Sequence, residues 1–482
     1  MSAVLHTPRR SLASLVKRGS AWGGVNIAAS RLLQFATTII VARIIAPDQF
    51  GALAVALVAQ TIALNIAELG TTAALARGDR DADSIAPTVF SLSLIMSSTL
   101  TAIMVSTAPW LASALGDTSA TPVIQVMAVT VFLAGFSSVP TAMVWREFLQ
   151  KKRLVVDLSA IVVTLLAVVP LALIGWGAMA LAVSRVIGQV VSTVGYWVIT
   201  PRRYAPGWNR AEVPYLIRLG LPLAASNLVV FVALNVDYIV IGRTLGPHDL
   251  GLYLLAFNLA ALPSSVITTI IRTVAIPAFG RMYAAGSLGA ATKKFVRGVA
   301  WIAFPVCALI GALAIPLMGA LYGQRWIPGA AALLGLSLFG AARILTEVFS
   351  DLCVGAGSTI GLFWVQLLWL IALIPVMVIA VGWWGIAGAG YAHAIVAWLV
   401  VVPAYLIVLT RAIGIRWRTQ VWAFLPLLPA AGIAGVVAAL VARLLSNEWL
   451  AILAGGTAGA LVYLLLTLSI ARTVITGIRE AK

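Results

Sequence analysis

Apolar runs of about 20 residues, each long enough to cross a hydrocarbon core of about 30 Å as a helix, recur from one end of this chain to the other. Charged or Pro/Gly-rich breaks separate them. Read between those breaks, the pattern predicts spans over 20–44, 50–76, 86–107, 122–144, 154–175 and 177–199. The second half gives 215–242, 248–277, 294–321, 329–351, 359–380, 384–410, 420–443 and 448–471. The expected fold is all-α and polytopic, with about 14 transmembrane helices and no stretch left for a soluble domain.

Composition agrees: the 482 residues are 62% hydrophobic and 10% charged, with a mean hydropathy of +1.05. The formal charge of +17 raises the question of nucleic acid, which the placement of the 32 Lys and Arg residues answers. With a cytoplasmic N-terminus, the outer segments hold only Arg43, Arg243, Arg325 and Arg443. The spans hold Arg31, Arg185, Arg272 and Arg343, and all the rest fall on the inside. That bias is the positive-inside rule, so the charge reports topology and attraction to membrane lipids, and nucleic acid is excluded as a partner. Both termini are expected in the cytoplasm of a multi-pass inner (cytoplasmic) membrane protein. The basic stretch before the first apolar run resembles a secretory leader, but the run is too long, so an uncleaved first helix is expected. Cys307 and Cys353 lie in or beside apolar spans, which argues against a disulfide framework or a Cys-based metal site.

One short segment occurs twice. "ARIIAPDQFG" ends at Gly51 and "GRTLGPHDLG" at Gly251, so that Ile39, Arg43, Pro47 and Gly51 match Ile239, Arg243, Pro247 and Gly251. Each copy ends a span, turns tightly on the outside and begins the next span. Pro is read as stopping the helix, Gly as freeing the backbone, and Arg as meeting helix C-terminal carbonyls near the headgroups. The two arginines are either interfacial anchors or part of a gate. The first and seventh spans run the same way, so the halves are parallel repeats about an axis along the membrane normal. The expected organisation is a cytoplasmic segment (1–19), a six-helix bundle (20–199), a cytoplasmic linker (200–214), a second, pseudo-symmetric six-helix bundle (215–410), and two further helices with a tail (411–482).

These segments resemble a known family. The "VARIIAPDQFG" turn, "AELG" at Ala67 to Gly70, "VP" at Val139 and Pro140 followed by "WREF" at Trp145 to Phe148, and "NVDYIVIGRTLGPHDLGLY" from Asn235 to Tyr253 look like the polysaccharide transporter family. That family includes Wzx-type flippases of lipid-linked oligosaccharides and belongs to the multidrug/oligosaccharidyl-lipid/polysaccharide exporter superfamily. The resemblance implies a polyprenyl-pyrophosphate-linked glycan as cargo, moved across a bacterial cytoplasmic membrane, and work beside polysaccharide polymerase or export machinery.

Charge inside a membrane is costly and marks candidate sites. The first span carries Asn26, Ser30, Gln34 and Thr37 at helical spacing with Arg31 beside them, and the second carries Thr61, Asn65, Glu68 and Thr72. The seventh carries Ser226, Asn227, Asn235 and Asp237; the eighth carries Ser265, Thr268, Thr269 and Arg272 after Pro263. In transporters this sequence looks like, those four helices line the central cavity. A pyrophosphate suits Arg31 and Arg272, since guanidinium stays charged and offers paired donors; Asn26, Gln34, Asn65 and Thr269 join them as substrate-binding candidates. The alternative is that both arginines pair with Glu68 and Asp237 to hold the bundle together. Glu68, Asp237 and Asn235 are coupling or gating candidates, with H+ or Na+ as the coupling ion.

Arg343, Glu347 and Asp351 repeat at four-residue steps and read as an intrahelical ion pair. His393 reads as a buried, hydrogen-bonded histidine. Arg185, with Ser184 and Gln189, has no partner evident in the sequence. Trp22, Trp110, Trp326, Trp383 and Trp384 fit an interfacial belt. Two other functions compete with this reading: a drug exporter of the same superfamily, which would favour an acidic or aromatic cavity, and a glycolipid ligase or polymerase. No Walker loop, metal-ligand cluster or Ser/His/Asp arrangement is present, so neither an enzyme, a metal nor a cofactor is expected.

Overall fold

In the computed structural model, the backbone is described over 12–68, 75, 81–284, 288–355 and 359–470. Side chains are described there except at 12–21, 68, 219–234, 269–284, 288–291, 355, 359 and 412–413. Helices meet each apolar run: α1 (Leu12–Ala42), α2 (Pro47–Glu68), α3 (Ala82–Ala114), α4 (Thr121–Arg146), α5 (Gln150–Leu173), α6 (Ala178–Ile199), α7 (Val213–Leu245) and α8 (Pro247–Ala284). There follow α9 (Leu288–Ala312), α10 (Ala314–Tyr322), α11 (Ala330–Gly355), α12 (Thr359–Val396), α13 (Val402–Ile413), α14 (Trp417–Phe424), α15 (Leu427–Arg443) and α16 (Glu448–Leu466). No strand occurs among the described residues.

The expected span over 294–321 is two helices, because Leu313 leaves helical geometry (φ −97°, ψ 21°) between α9 and α10. Likewise 420–443 is divided between α14 and α15 at Pro426, which caps the second. Twelve segments of the described residues are long and apolar enough to cross a membrane. One of them, Ile360–Arg411, has 52 residues, length enough for two crossings. It breaks at Gly385, whose φ of 58° few other residues adopt. With that division and the partly described α7, the architecture is consistent with fourteen crossings.

Two compact units emerge: 1–37, 59–108 and 122–228 form one; 38–58, 109–121 and 229–482 form the other. In the first, α5 packs along α6, and Phe90, Val139, Met143 and Leu216 share a core. The segment after α6, expected as a cytoplasmic linker, is docked on the start of α3. The Gly207 amide donates to the Pro87 carbonyl (3.1 Å), the Ser91 hydroxyl to the Gly207 carbonyl (2.8 Å), and the Asn209 amide to Thr88 Oγ1 (2.9 Å). Tyr204 donates to Asp83 at 2.7 Å, and burial together with that carboxylate raises the phenol's pKa.

In the second unit α11 packs on α8, α9 and α12, and α15 on α16. A Cβ on Gly455 would meet the Ala438 carbonyl at 2.6 Å, and one on Gly459 the Ala434 carbonyl at 2.7 Å. Small residues let these two backbones approach, the usual source of helix attachment where lipid removes the hydrophobic drive. Trp110, Trp383 and Trp384 are exposed, as a belt requires, whereas Trp326 is fully buried.

Candidate functional site

Both copies of the repeated turn lie in the second unit, and they pack on each other. Gly51 sits inside α2 and Gly251 inside α8, each with helical backbone. A Cβ on Gly51 would overlap the Pro247 carbonyl, and one on Gly251 would overlap the Pro47 carbonyl. These glycines therefore supply room for a neighbouring backbone, and in the second copy it is Gly246, at φ 86°, that supplies the turn. Pro47 and Pro247 open α2 and α8, where the missing N–H costs nothing.

The arginines meet helix C-terminal carbonyls as the sequence leads one to expect, but on other helices. Arg43 donates through Nε to the Leu321 carbonyl at 3.2 Å and through Nη2 to that of Ala320, in the last turn of α10. Arg243 donates through Nε to the Ala114 carbonyl, the last of α3. Each satisfies acceptors that the helix itself leaves open. Trp326 Nε1 closes the end of α1 by donating to the Ala42 carbonyl at 2.8 Å, and its ring meets Phe50 edge to face at 5.2 Å. His248 and Asp48, also equivalent positions of the repeat, face each other at 3.3 Å.

Deeper in the same unit is a buried polar group. Asp237 on α7 is wholly buried; its Oδ2 accepts from the Tyr253 hydroxyl of α8 at 2.6 Å and lies 3.3 Å from His393 Nε2 of α12. Its Oδ1 accepts from the Tyr238 amide at 3.0 Å. The His393 ring stacks on Phe339 of α11, centroids 4.7 Å apart, and its Nδ1 is buried without a hydrogen-bond partner among the described residues. His393 is thus the buried, bonded histidine the sequence suggests, and its partner is the coupling candidate Asp237. A carboxylate and an imidazole in contact inside a membrane can hold a proton between them.

In the first unit Asn26, buried on α1, donates from Nδ2 to Asp157 Oδ2 of α5 at 2.7 Å. Tyr196 of α6 donates to Asp157 Oδ1 at 2.7 Å, and Arg153 lies 3.3 Å from the same carboxylate. Ser30 donates to Asn26 Oδ1 at 3.2 Å. Sequence reading missed Asp157, although a carboxylate within the predicted span 154–175 was itself a signal. Asn65 donates to the Thr61 carbonyl of its own helix at 2.8 Å. Arg31 is exposed on α1 with no hydrogen bond or ion pair among the described residues, whereas Gln34 and Asn235 each have a partner. Ser93, Ser137, Ser138 and Thr141 line a cavity of about 100 Å³ among α2, α3 and α4, where Ser138 Oγ has no hydrogen-bond partner among the described residues. That is room for ordered water. Arg343, Glu347 and Asp351 all have partners. The side chains of Glu68, Thr72, Ser226, Asn227, Thr269 and Arg272 lie outside the described residues.

Long apolar helices carrying charged and amide groups between repeated turns define a multi-pass membrane protein. The fold matches that of a lipid II flippase, MurJ, in an inward closed conformation, with a TM-score of 0.77 over 94% of this chain and 99% of that one, at 13% identity. Residues 40–331 match the family described as polysaccharide biosynthesis protein, and the chain belongs to that family. A succinoglycan biosynthesis transport protein, ExoT, of Rhizobium meliloti (strain 1021) is 26% identical over 96% of this chain and 94% of its own length. The lipopolysaccharide biosynthesis protein WzxC of Escherichia coli (strain K12) is 24% identical over 84% of this chain and 82% of its own.

Proposed function

We propose that this chain flips a polyprenyl-pyrophosphate-linked oligosaccharide or related glycolipid across the cytoplasmic membrane for cell-surface polysaccharide assembly. Two six-helix bundles, 20–199 and 215–410, alternately expose a cationic cavity to either side, and both termini stay in the cytoplasm. The observation that carries this reading is Arg31: a guanidinium within a membrane-spanning helix, exposed and without a hydrogen bond or ion pair among the described residues. An isolated charge there is expensive unless an anion visits it. A pyrophosphate fits, since it accepts paired, charge-assisted hydrogen bonds. Arg272 is the second cation of the site. The name of ExoT, a transport protein of polysaccharide biosynthesis, supports the cargo class.

Asp237 with His393, and Glu68, couple the cycle to an ion. The Asp237 group joins α7, α8 and α12, so a proton gained or lost there alters the packing of three helices at once. The test is reconstitution with polyprenyl-pyrophosphate glycans and measurement of outer-leaflet exposure for wild type, Arg31→Ala and Arg272→Ala. Both variants insert normally and lose translocation, and Arg→Lys recovers only part of it. Full activity in both truncations overturns the assignment. Efflux of organic cations without glycolipid movement would point instead to a drug exporter.

A further inference from the structure

Arg185 lies in α6, seven residues from its start, roughly 10 Å along the helix axis. Its helix has two distinct faces. Ile187, Val190, Val194 and Val198 are exposed apolar residues, and they centre about 180° from Arg185 at 100° per residue, which is the stripe that meets lipid. On Arg185's own side, within about 60°, lie Ala178, Leu181, Ala182 and Tyr196, all buried. Arg185 is therefore an exposed residue on the packed face. Its accessible surface therefore lies on the side of α6 away from the exposed apolar stripe.

That face has a known direction. Tyr196, three turns further on, reaches Asp157, the carboxylate that also holds Asn26 of α1. The arginines of the first unit that hold structure show their partners: Arg146 donates to the Leu75 carbonyl, Arg153 pairs with Asp157, and Arg202 with Asp83. Arg185 has none of these, neither a hydrogen bond nor an ion pair nor a ring contact among the described residues. Among the described residues no capping, pairing or stacking role accounts for this charge within a membrane-spanning helix, a costly place for one.

We propose that Arg185 is an anion-binding residue of the substrate path, taking an oxyanion of the transported glycolipid. The oxyanion is either a phosphate of the lipid carrier or an acidic group on the glycan, and the assignment rests on the flippase reading above. Guanidinium suits the task because it is charged at every working pH and matches phosphate or carboxylate with two parallel donors. Arg185 thus extends recognition from α1 to α6.

The experiment uses full-length protein in proteoliposomes with two substrates on the same pyrophosphate carrier, one with a neutral oligosaccharide and one carrying a uronic acid. Arg185→Gln is expected to slow flux by roughly tenfold or more, the loss of one charge-assisted contact, with unchanged insertion and melting temperature, and Arg185→Lys to recover part. Slowing of both substrates identifies the pyrophosphate as the ligand; slowing of the acidic one alone identifies the glycan. Wild-type movement of both substrates with no change in Arg185→Gln overturns the proposal and leaves the flippase reading standing. A second measurement is independent of transport. Binding of inorganic pyrophosphate to purified wild type and Arg185→Gln is compared at one ionic strength: weaker binding by the variant supports an anion site even if no glycolipid moves, whereas equal binding, or none to the wild type, overturns it.

Discussion

Gly51 packs against the carbonyl of Pro247, and Gly251 returns the contact to the carbonyl of Pro47. The repeated glycine and proline are two halves of one reciprocal contact. Each copy of the turn needs the other's glycine, because any Cβ there would occupy the space of a backbone oxygen. Around this point Arg43 and Arg243 hold the ends of α10 and α3, Gly116 packs against Gly242, and Trp326 closes α1. The turns are joined by backbone, which makes the closure insensitive to most side-chain change and sensitive to two hydrogens.

Gly51→Ala and Gly251→Ala are accordingly expected to be costly despite their small size. The neighbouring atom is a main-chain carbonyl within a helix start, so relief requires a shift of the whole turn, at about 1–3 kcal/mol for each substitution. Thermal melting of the purified protein checks this, and glycine-to-alanine changes at Gly432, where nothing lies within 4 Å of an added Cβ, serve as the neutral control.

Arg43→Ala and Arg243→Ala remove the donors to carbonyls in the last turns of α10 and α3. Both side chains are exposed, so screening limits the effect of each to about 1 kcal/mol. Arg43→Lys keeps the charge and loses the two-carbonyl geometry. The expected outcome is a lower melting temperature and altered flux with unchanged affinity for glycolipid, measured by binding and transport on the same preparations.

Asp157 serves three donors at once, from Asn26, Tyr196 and Arg153. Removing it leaves two of them in partly buried surroundings, at about 1–3 kcal/mol. If Asn26 acts mainly through this contact, Asn26→Ala and Asp157→Ala in combination will cost less than the sum of the two, and a double-mutant cycle on melting gives the coupling directly. Strict additivity would instead release Asn26 to serve the substrate.

At Asp237 the two neighbours separate stability from coupling. Tyr253→Phe deprives a buried carboxylate of a donor and is expected to lower stability by about 1–3 kcal/mol. Asp237→Asn keeps the shape and removes the exchangeable charge. Flux that still responds to an imposed proton gradient in Asp237→Asn liposomes would refute a coupling role for this group.

The sequence by itself determined where the chain crosses the membrane and where it turns. A span needs only enough consecutive apolar residues to match the hydrocarbon thickness, so α4, α5 and α6 fall within a few residues of their expected limits. The chemistry of Arg43 was legible for the same reason, since an arginine near a helix end finds open carbonyls wherever helices end. Tertiary structure decided everything that depends on which helix lies beside which. It joined Asn26 to Asp157, 131 positions away, and His393 to Asp237, 156 positions away. It gave Gly51 its purpose as space instead of turn, buried Trp326, and turned Arg185 to the packed face of α6. In water the alternation of apolar and polar residues reveals which face of a helix is inside. In lipid both faces are apolar, so the pattern states the length of a helix and leaves its neighbours to packing.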